Sequence, residues 1–130
     1  MNFTIEELTY SKTAEEHCIN NSPNEEERQN LEKLIQTILQ PIRDKFGSPI
    51  KVNSGFRCKE LNKLVGGSKT SQHLKGEAAD ITSKDNRRLW KIIVDMIKSG
   101  EISVGQLINE YNLSWIHISL GNKNSIISIK

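Results

Sequence analysis

Ser71-Gln72-His73-Leu74-Lys75-Gly76-Glu77-Ala78-Ala79-Asp80-Ile81 brings an imidazole, two carboxylates and several small residues into one short run, and Ser114-Trp115-Ile116-His117-Ile118-Ser119 adds a second imidazole. Imidazole nitrogen and carboxylate oxygen are donors that zinc accepts. Two histidines with one carboxylate leave a fourth position for water, the pattern of a catalytic rather than a structural zinc. A metal there would lower the pKa of that water towards neutrality and polarise a carbonyl. His117 alone reads more simply as a packing or surface residue. The metal reading rests on His73, Asp80 and His117 together.

That chemistry constrains the backbone. His73 and Asp80 are seven residues apart, which on a straight helix is about 10 Å along the axis and too far to share one ion. Gly66, Gly67 and Gly76 also argue against a helix. A loop leading into a strand over Ala78 to Thr82 can fold the histidine back beside the aspartate, and Ala78 and Ala79 are expected to leave room for metal and substrate. On a strand, Trp115, His117 and Ser119 share one face while Ile116 and Ile118 face the core. His117 would then point into a cleft walled by the indole.

The positioning elements are legible from caps and periodicity. Thr4 with Glu7 and Thr13 with Glu16 have capping-box spacing, predicting two short helical turns. Ser22 as N-cap, Pro23 and the acidic run Glu25 to Glu27 predict the start of a longer helix. Its Leu31, Leu34, Ile35, Ile38, Leu39, Ile42 and Phe46 recur at three- and four-residue steps up to a stop at Gly47, with a kink expected at Pro41. A short strand, PIKVNS, precedes a brief helix with Leu61, Leu64 and Val65. A further helix spans Asn86 to Ser99, with Leu89, Ile92, Ile93, Met96 and Ile97 on one face and Gly100 at its end; Trp90 reads as packing. SVGQLINE, SWIHISL and SIISIK alternate as strands and predict an antiparallel meander. The expected class is α+β, with N-terminal helices packed on a small antiparallel sheet.

The chain has 130 residues and 35% hydrophobic content, which predicts a single domain over 1–130 with one site. Its 18 basic and 16 acidic side chains nearly cancel, and no basic patch interleaved with aromatics points to nucleic acid. No apolar run approaches the roughly 18 residues of a membrane span, and MNFTIEELTYSK has no secretory leader character. A soluble monomer made in the cytoplasm is expected. Cys18 and Cys58 form no CxxC pair and read as reduced, partly buried packing residues. His17 has no partner at ligand spacing.

The run SGFRCKELNKLVGGSKTSQHLKGEAADI, followed by QLINEYNLSWIHIS, resembles the zinc D-alanyl-D-alanine carboxypeptidase family, which includes phage cell-wall endopeptidases and shares its fold with hedgehog signalling domains. The resemblance extends from about Phe3 to Gly121. It implies one zinc per chain on His73, Asp80 and His117, and peptidoglycan stem peptides as substrate. It places Arg57 on an arginine that binds a substrate carbonyl or carboxylate oxygen, and Ser71 on a serine that can donate to substrate. Trp115 would line the substrate cleft. Many relatives carry the general base where this chain has Ser114; Glu110 matches a glutamate of the most similar subgroup, and Glu77 is the second candidate. Glu110 is expected to need the turn over Tyr111 to Leu113 to fold it back towards the metal. The expected activity is endopeptidase or D-alanyl-D-alanine carboxypeptidase action at the cell wall, reached by lysis, a holin, a virion or another export route. The alternative is a non-catalytic, zinc-stabilised wall-binding or interaction module.

Overall fold

Thr4 opens the first element of the computed structural model, which describes residues 2–129. Its side chain accepts from the Glu7 backbone N–H and starts helix α1 (Ile5–Thr9). Helix α2 (Lys12–Glu16) is capped by Ser11 rather than Thr13, because Ser11 Oγ reaches the Ala14 N–H. Helix α3 (Glu25–Leu34) begins two residues later than Ser22 would place it. Asn24 is its cap: the Asn24 side chain accepts from the Glu27 N–H while Glu27 accepts from the Asn24 N–H, both at 2.8 Å. This reciprocal pair satisfies two backbone donors at once. Ser22 instead donates to Asn20 Oδ1.

The expected kink at Pro41 takes the form of an inserted residue. Ile35–Leu39 form a π-helical turn in which the Gln40 N–H reaches back to Ile35 O, and helix α4 (Gln40–Phe46) follows with Pro41 in its first turn. Proline has no N–H to donate and its ring presses on the carbonyl four residues back, so a widened turn just before it accommodates both defects. Gly47 then ends α4 in the left-handed conformation, φ 74°.

Strand β1 (Lys51–Ser54), helix α5 (Lys59–Leu64) and strand β2 (Ala78–Thr82) come next, then helix α6 (Asn86–Ser99) and strands β3 (Gln106–Glu110), β4 (Trp115–Ser119) and β5 (Ser125–Ile129). Helix α6 has the bounds read from the sequence, capped by Asp85 and ended at Gly100. Its Arg88 lies over the Phe46 ring, 4.5 Å from the centroid, and donates to Phe46 O, which ties α6 to α4.

The sheet is not the expected meander. Its five strands lie in the order β1-β2-β4-β3-β5, antiparallel except for β5, which runs parallel to β3. Strand β4 has β3 on one edge and β2 on the other. No edge is left for β5, so the chain crosses the end of β3 to reach that strand's free side. Gly105 permits the crossing, since a Cβ there would collide with the Leu120 carbonyl. Asn124 secures it by exchanging hydrogen bonds with the Val104 backbone. Lys130, the last residue of the expected SIISIK strand, lies outside the described residues.

The buried side chains form one contiguous cluster in which α3, α4 and α6 meet one face of the sheet. Ala79, Ile81, Leu107, Ile116 and Ile118 supply the sheet's share, all fully buried. Burying each such leucine or isoleucine contributes about 1.5–3 kcal/mol, which fixes which face of β2 and β4 turns inward. Asp80 and His117 are thereby turned to the other face. Among the described residues no helix is long and apolar enough to cross a membrane. Both cysteines are free; Cys58 is partly buried as expected, but Cys18 is exposed, because it follows α2 on a left-handed residue, φ 54°, at the surface.

Candidate metal centre

The register of β2 against β4 places Asp80 directly opposite His117. Side chains of directly paired residues share one face of a sheet, and His117 Nδ1 lies 2.9 Å from Asp80 Oδ1. His73 arrives from outside the sheet on a single 3-10 turn, Gln72–Lys75. That turn ends at Gly76, φ 72°, where a Cβ would strike the Glu27 carbonyl of α3. The glycine therefore lets the loop press against the helix and fold His73 back over β2. His73 Nε2 comes to 3.3 Å from the same Asp80 oxygen.

The outer nitrogens of both rings have partners. His73 Nδ1 lies 2.6 Å from the Gly55 carbonyl. A carbonyl only accepts, so Nδ1 carries the hydrogen and a neutral ring presents a lone pair at Nε2. His117 Nε2 lies 3.1 Å from Gln72 Oε1 and donates to it, which leaves a lone pair at Nδ1. Two nitrogen lone pairs thus face one carboxylate oxygen, and the three ligand atoms all lie within 4.8 Å of one another. Such a cluster is stable only with positive charge inside it, from protons or from a metal ion. The Asp80 carboxyl responds accordingly: burial opposes its charged form, but hydrogen bonds and charge from His117 and His73 prevail and hold it well below the usual carboxylate range. A histidine ligand whose other ring nitrogen donates to a carbonyl is the usual outer arrangement of a protein metal site.

A β-bulge between Val52 and Ser54 redirects β1 so that the chain after it runs alongside the cluster. Gly55 supplies the carbonyl to His73, and Arg57 donates its backbone N–H to His73 O. The Arg57 guanidinium is half-buried; Nη2 donates to Ser71 Oγ at 3.3 Å, while the buried Nε has no partner. Burial lowers its pKa and the Asp80 charge works in the opposite sense. Ser71 Oγ also accepts from the His73 N–H, so its own hydrogen remains to donate elsewhere.

Glu110 pairs directly with Trp115 on β4, and Ile108 pairs with His117. Glu110 therefore lies on the His117 face, diagonal to that histidine, at a separation of roughly 7–8 Å for such a pair. Strand pairing, not the turn beyond it, puts it on that face. Glu77 is placed elsewhere, in a recess beside α3 with Asn24, Glu26, Glu27, Asn30 and Lys75. Trp115 is partly exposed and packs against Tyr111, ring centroids 5.2 Å apart.

The remaining local expectations fare differently. Ser119 shares the His117 face but is fully buried, accepting from the Gln106 N–H. Ala78 and Ala79 are fully buried as well, so the space beside Asp80 is not theirs. His17 stays exposed and bonds only to Thr13 O. Gln72 and Gly55 were not singled out from sequence; their adjacency to His73 and Arg57 was the available signal, and neither residue type marks a metal site by itself.

The family model described as Peptidase M15 matches residues 1–119, a span that holds all of these residues and leaves out β5. A search of the curated proteins finds no match.

Proposed function

The chain belongs to the M15 peptidase family, and from that premise we propose that it is a zinc peptidase that cuts the stem peptides of bacterial peptidoglycan. The observation that carries the metal assignment is the convergence of His73 Nε2, Asp80 and His117 Nδ1, with both outer ring nitrogens anchored by carbonyl oxygens. Two nitrogens and one oxygen suit zinc with a position left open. Bound there, zinc would supply a Lewis acid that polarises the scissile carbonyl and acidifies water.

The protein's own groups supply the rest. Glu110, on the His117 face, accepts the proton of the attacking water and returns it to the leaving amine. Arg57 directs its guanidinium at the scissile carbonyl or a nearby carboxylate oxygen, and Ser71 donates its remaining hydrogen to the substrate backbone. Trp115, packed by Tyr111, forms one wall. Between Asp80 and His117 the chain is spent on α6, whose apolar face is buried in the core, and on β3, which is inside the sheet. That segment has little left to close over the site, which favours endopeptidase cutting within an open groove over release of a terminal D-alanine.

Purified peptidoglycan digested by the protein, before and after chelation, tests this reading. New amino termini within stem peptides, lost on chelation and restored by zinc, are expected in mass spectra. Free D-alanine as sole product would replace the endopeptidase by a carboxypeptidase, and zinc binding without any cleavage would leave a non-catalytic module.

Arg57→Ala is expected to keep the metal but weaken substrate use. A hydrogen bond to a charged group is worth about 1.5–3 kcal/mol, or at least ~10-fold in kcat/KM. Arg57→Lys should recover only part of the loss, since a point charge lacks the guanidinium fork. Steady-state kinetics on a soluble stem peptide give the comparison, and full rescue by lysine would reduce Arg57 to a simple charge.

A further inference from the structure

The turn joining β3 to β4 is unusual: Tyr111, Asn112 and Leu113 all have left-handed backbone, φ 47°, 57° and 63°, and none is glycine. L-residues other than glycine rarely adopt this conformation, and for a bulky leucine it is an outlier that persists only when its surroundings enforce it. Three side chains enforce it here. Asn109 Oδ1 accepts from the Leu113 N–H at 2.6 Å, Ser114 Oγ donates to Tyr111 O at 2.7 Å, and Asn86 Nδ2 donates to Leu113 O at 2.8 Å.

Asn86 is the one of the three that lies outside the hairpin. It is the first residue of α6. Its amide nitrogen donates one hydrogen to Leu113 O and the other to Thr82 Oγ1 at 2.9 Å. Its amide oxygen accepts from the Ser83 N–H at 2.7 Å and from Ser83 Oγ at 3.1 Å. Thr82 lies two residues beyond Asp80 on β2, and Leu113 three beyond Glu110. One amide therefore joins the strand that carries the central metal-site carboxylate to the turn that follows the proposed base.

We infer that Asn86 is a positioning residue, which sets the distance of Glu110 and the Tyr111–Trp115 wall from the metal cluster by clamping the left-handed turn to the end of β2. The inference rests on the proposed role of Glu110. Asn86→Asp isolates the clamp: the carboxylate can still accept from Ser83, and negative charge is favourable in the first turn of a helix, but the donor to Leu113 O is replaced by a repelling oxygen.

The expected result for Asn86→Asp is kcat lowered ~10-fold or more with KM and zinc content unchanged, as for an interaction made only in the transition state. Trp115 emission, read in a Trp90→Phe background, should shift because its packing on Tyr111 loosens. Thr82→Val, which removes one contact with β2 but leaves Asn86 bonded to Ser83 and to Leu113 O, should shift the emission less. In a Glu110→Gln background Asn86→Asp should cost nothing further, since residues that act through one another are not additive. Additive loss or unchanged kcat would overturn the clamp. If Asn86→Asp does not fold, Asn109→Ala removes another of the three tethers without touching α6 and must show the same kcat-selective loss; a normal kcat there overturns the inference. A wild-type protein without peptidase activity would instead overturn the proposed function, and the emission of Trp115 would then decide the clamp alone.

Discussion

Glu110→Gln should lower turnover by at least ~10²-fold while the protein keeps its zinc, the lower end of what a positioned general base contributes. Glutamine preserves the shape and hydrogen-bonding reach of the side chain but cannot take a proton. Glu110 has a face in common with His117 through the β3–β4 register, yet its carboxylate belongs to no ion pair or hydrogen bond found among the described residues. Its removal therefore leaves the cluster of His73, Asp80 and His117 intact, and the loss should fall on kcat rather than on metal content or melting temperature. Elemental analysis alongside single-turnover kinetics separates these. A near-normal rate would remove Glu110 from the chemistry, and the placement of Glu77 in the recess beside α3 makes it a poor substitute.

His73→Ala and His117→Ala should each abolish activity and strip the metal, with a loss of affinity beyond the ~10–100-fold typical of an outer hydrogen-bonding partner. The two are not equivalent. His73 is 3% exposed, and its loss also opens a cavity and leaves Gly55 O without its donor, so that variant should be the less stable of the pair. Gln72→Ala, which removes only the acceptor for His117 Nε2, should sit inside the 10–100-fold range and keep measurable activity. Zinc titration against a competing chelator gives the three affinities in one series. Full occupancy in both histidine variants would mean that the metal, if any, is bound elsewhere.

The α+β class, the bounds of α6 and the grouping of His73, Asp80 and His117 were all legible in the sequence. The class and the bounds of α6 depend on interactions a few residues long or on periodicity set by one buried face, and the grouping on the donor chemistry of the three side chains. Asp85 and Gly100 mark α6 because caps satisfy backbone groups locally. Ile116 and Ile118 turn His117 outward because a strand has only two faces. Cap positions proved harder where several candidates adjoin: Ser11 displaced Thr13 and Asn24 displaced Ser22, each by a shift of two residues that the spacing alone does not resolve.

Other features depended on contacts between distant segments. The pattern of SIISI is satisfied equally by a partner on either side, and only the occupation of both edges of β4 sends β5 to β3. Glu110 reaches the metal face through strand register, not through the turn that the sequence seemed to require, because pairing with Trp115 is a property of two strands together. Gln72 and Gly55 acquire their roles only when the 3-10 turn folds back and their carbonyl oxygens meet the outer ring nitrogens. By itself, then, the sequence determined which residues could donate to a metal and which face each would occupy, since residue chemistry and strand alternation are local. The tertiary structure alone decided which carbonyls orient the histidines, how far Glu110 stands from them and where the last strand lies, since hydrogen-bond partners and free sheet edges exist only once the segments have packed.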